Sequence, residues 1–143
     1  MPNKTTTRKA KRDLRQGKKP TTAAGEFVHE EIEHVRQGKH GARSTKQAIA
    51  IGLSKARRAG VPLPPPEKGT VSERTRKSAQ RAYEEGQGMR KPQAPSHRRS
   101  EAARGALKRE RRTTVSRRAL SSQAKRAAAK RRSRTSRSRS ATA

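Results

Sequence analysis

The stretch Arg43-Ser44-Thr45-Lys46-Gln47-Ala48-Ile49-Ala50-Ile51-Gly52-Leu53-Ser54-Lys55-Ala56-Arg57-Arg58-Ala59-Gly60-Val61 decides the fold. Ser44 followed three residues later by Gln47 is a capping box: each side chain can satisfy a backbone N–H left over at a helix start. Ile49, Gly52, Leu53 and Ala56 then fall on one helical face. Gly60 offers the left-handed stop, Val61 the apolar contact that accompanies it, and Pro62 cannot continue a helix. The spacing predicts a helix over 44–60.

Working upstream, Val28, Ile32 and Val35 recur at i, i+4 and i+7, one stripe of a second helix. Thr21 or Thr22 would cap it. Glu26, Glu30 and Glu31 lie toward its start, where the helix dipole favours negative charge. Gly38 would end it. Residues 37–43 join the two helices, and a loop so short favours helices packed on each other. The segment 22–60 is therefore expected to form a helical hairpin.

On either side the pattern thins. Residues 1–21 are a Lys- and Thr-rich arm, expected to be disordered. Its first fifteen residues are basic, but no apolar run follows them, so they are not expected to be a secretory signal. Residues 61–71 hold Val61-Pro62-Leu63-Pro64-Pro65-Pro66, a stiff extended linker. A helix is possible over 72–86, with Ala79, Ala82 and Tyr83 as a thin apolar edge, and 87–95 reads as a second linker. Residues 96–132 are rich in Ala and Arg, both strong helix formers. Their like charges repel at i, i+3 and i+4, so these helices are expected to form only on a polyanion. Residues 133–143 are an Arg/Ser run of low complexity, expected to be disordered. The expected fold is thus mainly α: a small helical hairpin with basic, largely disordered or conditionally helical extensions.

The totals explain why the hairpin stands almost alone. The chain of 143 residues has 39 Lys and Arg against 11 Asp and Glu, a net charge of +28, and 1% aromatic residues. Low hydrophobicity with high charge leaves little with which to offset conformational entropy. Such self-repulsion is most simply explained by a polyanionic partner. There is no cysteine, which excludes disulfides and thiolate metal sites. No apolar run approaches the roughly 18 residues of a membrane span.

The densest charge lies at Arg98, Arg99, Arg104, Lys108, Arg109, Arg111, Arg112, Arg117, Arg118, Lys125, Arg126, Lys130, Arg131 and Arg132. These are the candidate nucleic-acid-binding residues, because each cation that neutralises a phosphate releases condensed counterions. Arg predominates, and its planar fork suits phosphate oxygens. Base-specific reading has little support: no zinc-finger spacing and no aromatic RNA-binding motif is present. Phe27 and Tyr83 are too few to build a stacking platform for single strands.

His34 follows Glu30 by four residues with His40 nearby, a conceivable metal pair, but charge pairing on a helix surface is the plainer reading. No catalytic residue, metal or cofactor is expected, and nothing points to an enzyme.

The stretch 43–61, led by Gly38-Lys39-His40-Gly41, resembles a family of small, basic, mostly bacterial proteins of uncharacterised function. That family carries a Lys-Gln-Ala-Ile-Ala-Ile-Ala/Gly-Leu-Ser helix. The resemblance implies a bacterial source and little about mechanism. In composition only, the tail is similar to those of linker-histone-like bacterial proteins, which compact DNA without strong sequence preference.

The expected function is non-sequence-specific binding of nucleic acid, DNA ahead of RNA, in a cytoplasmic, nucleoid-associated protein. RNA or ribosome association is one alternative. The other is an adaptor acting through the hairpin, which would also be the piece for self-association. No membrane partner is expected.

Overall fold

A computed structural model describes residues 2–141. Among these residues the chain is helical, in the order α1 (Lys4–Arg15), α2 (Pro20–Arg36), α3 (Thr45–Arg58), α4 (Glu73–Gly86), α5 (His97–Arg109), a 3-10 turn (Thr113–Val115) and α6 (Arg117–Ala141). The centre is an antiparallel α2–α3 hairpin. α1 packs on α2, and α4 packs on α3.

The hairpin's ends follow local chemistry. Ser44 Oγ accepts from the Gln47 N–H at 3.1 Å, while the Gln47 side chain accepts from the Arg43 N–H at 2.6 Å. The reciprocal bond thus reaches one residue further back than in the usual capping box. Gly38, at φ 76°, closes α2: its N–H meets the Val35 carbonyl and the Lys39 N–H meets that of His34. The start of α2 differs from expectation. Pro20 is the first helical residue, and no side chain caps it. Its fixed φ suits that position and its missing N–H costs nothing there. Glu26, Glu30 and Glu31 therefore lie beyond the first turn, where the dipole does little for them.

Small side chains let the two helices approach. On α3 the buried row is Ala48, Gly52 and Ala56; on α2 it is Ala23, Phe27, Glu31 and Val35. A Cβ at Gly52 would fall 2.6 Å from Val28 Cα. The large residues Val28, Ile32, Ile49 and Leu53 flank this seam half-buried. Two apolar clusters result. One joins Ala10, Ala23, Ala24, Phe27, Ala56 and Val61, and the other joins Val35, Ala42, Ala48 and Val115.

The extensions require corrections. Apart from Met1, which lies outside the described residues, the arm over 1–21 is not disordered: Asn3 caps α1, and Ala10 and Leu14 seat it on the first cluster. Ala10 and Leu14 are four apart, a minimal apolar edge that suffices because Ala23 and Ala24 oppose it. Nor is the Pro-rich segment detached. Arg57 donates from Nε to the Leu63 carbonyl and from Nη2 to that of Pro64, both at 3.2 Å. Burial pushes the Arg57 guanidinium below its ordinary value, and the two carbonyls compensate it.

Residues 96–132, expected to be helical only on a partner, carry α5 and the start of α6 in the chain by itself. The run 133–143, expected to be disordered, continues α6 through Ala141; residues 142 and 143 lie outside the described residues. From Arg117 onward the sequence has no Gly and no Pro, so neither residue interrupts α6. Serine and threonine hydroxyls in the last turns bond back to carbonyls three or four residues earlier, as Ser136 does to Ser133 at 3.0 Å.

Replacing Gly52 with Ala should force Val28 backbone and α3 apart. The expected loss is about 1–3 kcal/mol, read as a lower urea midpoint by far-UV circular dichroism. An unchanged midpoint would mean the seam is looser than its geometry.

Candidate nucleic-acid interface

The loop over residues 37–44 is the hub from which the basic half of the chain is held. On its inner side sits Glu31, 1% exposed. Lys55 from α3 meets Glu31 Oε2 at 2.6 Å, and His40 from the loop brings Nε2 to Oε1 at 2.8 Å. A buried carboxylate is strongly unfavourable unless paired, so both contacts are required of the fold. His34 lies beside the group, with its pKa lowered by burial first and by Lys39 and Lys55 next; Glu30 and Glu31 oppose that shift.

The loop's outer side holds residues 107–116. The Gly41 N–H donates to the Leu107 carbonyl at 2.8 Å, and the Ala42 N–H to that of Arg111 at 2.9 Å. Thr114 Oγ1 donates to the Ala42 carbonyl at 3.1 Å, and Thr45 Oγ1 donates to the Thr114 carbonyl. Val115, 1% exposed, fills the second cluster. Only glycine fits at 41, because any Cβ there would overlap the Glu110 carbonyl. A short stretch between two basic helices is thus fixed to the hairpin by backbone hydrogen bonds and one valine.

All fourteen basic residues singled out from the sequence are exposed. Five lie on α5: Arg98, Arg99, Arg104, Lys108 and Arg109. Arg111 and Arg112 occupy the anchored connector, and the other seven lie on α6. They do not converge on one pocket; they are strung along two helices joined at the hub. α6 has no buried residue. Its ten Lys and Arg include Arg134, Arg137 and Arg139 from the run read as a disordered tail, and it has no acid. The ion pair made by its cations among the described residues is Arg134 Nη2 to Glu67 Oε2, 3.6 Å.

Sequence reasoning left out a second basic face. Lys4, Arg8, Lys9, Lys11, Arg12 and Arg15 are exposed along α1. The signal was present in the i, i+4 pair of Ala10 and Leu14, which leaves the cations on the opposite side.

Gly41→Ala should release the connector while leaving the α2–α3 hairpin folded. Amide hydrogen exchange should rise by about tenfold or more at position 41, Ala42 and Val115, with Ala56 protected as before. Uniform loss of protection would place the substitution's effect in the whole fold instead.

Comparison with known proteins gives little beyond the N-terminal half. The model of a family of unknown function (DUF6496) matches residues 3–68, a span covering α1, the hairpin and the Pro-rich segment. No curated protein and no solved structure matches the chain.

Proposed function

We propose that this chain is a non-enzymatic protein that binds nucleic acid, duplex DNA first, through its phosphate backbone without reading sequence. The observation that carries the reading is α6: 25 residues, ten cations, no acid and no buried side chain. A helix of that length is about 37 Å long. Its charges are distributed around the whole circumference, which suits repeated phosphates better than a unique set of base edges. Arg126, Lys130 and Arg134 follow one another at i, i+4, a spacing that is destabilising unless an anion lies alongside.

A rod charged on every side touches one duplex with part of its surface and leaves the rest for another. That geometry favours bridging and condensing DNA over occupying a single site. The basic face of α1 adds a further contact on the hairpin side, and linked weak contacts raise avidity without a precise interface.

The test is a titration of fluorescent duplex DNA at several salt concentrations, comparing the full chain with one ending after Ser116. That cut keeps Val115 in its cluster. The full chain should show a steep loss of affinity with salt. Removing α6 should reduce the slope by about 4–5 units, half its ten charges at about 0.9 each. Equal slopes would remove α6 from the mechanism, and a full chain indifferent to salt would remove the reading altogether. Structured RNA that competes better than duplex DNA at fixed salt would redirect the assignment to RNA.

A further inference from the structure

The group around Glu31 has the donor set of a metal site, and nothing in the nucleic-acid reading uses it. Glu31, His34 and His40 each offer one ligand atom, and these atoms lie within 4.8 Å of one another. Glu31 and His34 come from successive turns of α2, so they share a face. His40 comes from the hub loop.

Each histidine is oriented as a metal ligand needs to be. His40 Nδ1 lies 2.8 Å from the Gly41 carbonyl oxygen. With its Nδ1–H donated there, Nε2 faces Glu31 Oε1 at 2.8 Å. His34 Nε2 lies 3.5 Å from Glu30 Oε1, and Nδ1 lies 3.9 Å from Glu31 Oε2. A backbone carbonyl behind one ring and a carboxylate behind the other are the outer contacts that fix ligand histidines. A proton between His40 Nε2 and Glu31 Oε1 makes their contact favourable in the metal-free chain, and a metal ion would take that proton's place. Tetrahedral ligands on a zinc-sized ion stand about 3.4 Å apart, and with the three ligand atoms within 4.8 Å of one another a small inward movement of the side chains brings them to that spacing.

A second observation lies beside the cluster. Glu30 is nine-tenths buried. Its Oε1 accepts from the Asn3 N–H at 2.9 Å, but its Oε2 is buried with no hydrogen-bond partner among the described residues. Burial without a partner costs about 1–3 kcal/mol. This carboxylate stands behind the outer nitrogen of His34 and so supports the ring from outside the site.

We infer that Glu31, His34 and His40 form a binding site for a divalent transition metal of the zinc class, with Glu30 behind it and one position open. Two imidazoles and one carboxylate select such an ion over magnesium or calcium, which prefer all-oxygen shells. Lys55 is the built-in competitor. Its ammonium holds Glu31 Oε2 at 2.6 Å and must swing aside, toward solvent, as the ion enters. Any proton on the inward nitrogens leaves with it. The bound ion ties α2 to the hub loop and so reinforces the anchor of residues 107–116.

The experiment is a zinc titration of the full chain without nucleic acid, followed through the four histidine ring signals by NMR and through the melting temperature. Zn2+ should move the His34 and His40 signals together, saturate at one ion per chain and raise the melting temperature reversibly to EDTA, while Mg2+ does neither. His40→Gln should weaken binding by about tenfold or more, and His29→Gln should not. Lys55→Gln should tighten zinc binding, so that zinc restores the melting temperature of that variant by more than it raises the native chain's. If His40→Gln fails to fold, the ring signals of the native chain still decide. Unmoved His34 and His40 signals, or His29 and His97 shifting in parallel with them, would overturn the site.

Discussion

A single buried carboxylate organises this protein. Glu31 stands in the row where α2 meets α3, between Phe27 and Val35. A charge so placed destabilises every arrangement that leaves it unpaired, by several kcal/mol. The favourable arrangement brings Lys55 from the opposing helix and His40 from the connecting loop onto its two oxygens. Those contacts fix the register of α3 against α2 and the path of the loop together. Apolar packing alone would specify less, because the facing row of Ala48, Gly52 and Ala56 is nearly featureless. That row contributes closeness, which is what allows Lys55 to reach across.

The rest of the chain inherits its position from this hub. With His40 held inward, Gly41 and Ala42 turn their N–H groups outward to the carbonyls of Leu107 and Arg111. Val115 then closes the second apolar cluster. The charge is divided along the same line. Nine of the eleven acids lie within ion-pair distance of a basic side chain, and eight of those nine lie between residues 13 and 85. Beyond Pro95 there are 17 Lys and Arg against Glu101 and Glu110. The acids serve the body; the cations of the C-terminal helices have almost none to neutralise them.

How much of this was legible depended on how local the cause was. The capping pair Ser44 and Gln47 and the stops at Gly38 and Gly60 act within four residues, so the sequence announces them. Val28, Ile32 and Val35 announced a helix, yet the core row shares only Val35 with them and otherwise runs one residue earlier, through Phe27 and Glu31. A periodicity count weighs apolar residues and so passes over a carboxylate whose partners are 9 and 24 residues away. α1 was missed because its apolar edge is two residues, adequate only against Ala23 and Ala24. The candidate cations were legible from density alone, but their arrangement was not. It depends on Gly41 meeting Glu110 across 69 positions, which no local pattern encodes.

The helical state of α6 alters the energetics of the proposed binding. A disordered polycation loses backbone freedom of about 1–2 kcal/mol per residue as it orders on a partner, which weakens each contact it makes. α6 has undergone that ordering already. Its cost is instead electrostatic: Arg126, Lys130 and Arg134 are held at helical spacing against their mutual repulsion. Phosphates that approach relieve the repulsion and find the cations in place, so binding strengthens the helix it uses. The same repulsion falls with added salt, as does attraction to DNA. Salt therefore weakens the proposed complex from both directions, by screening the contacts and by stabilising the free helix.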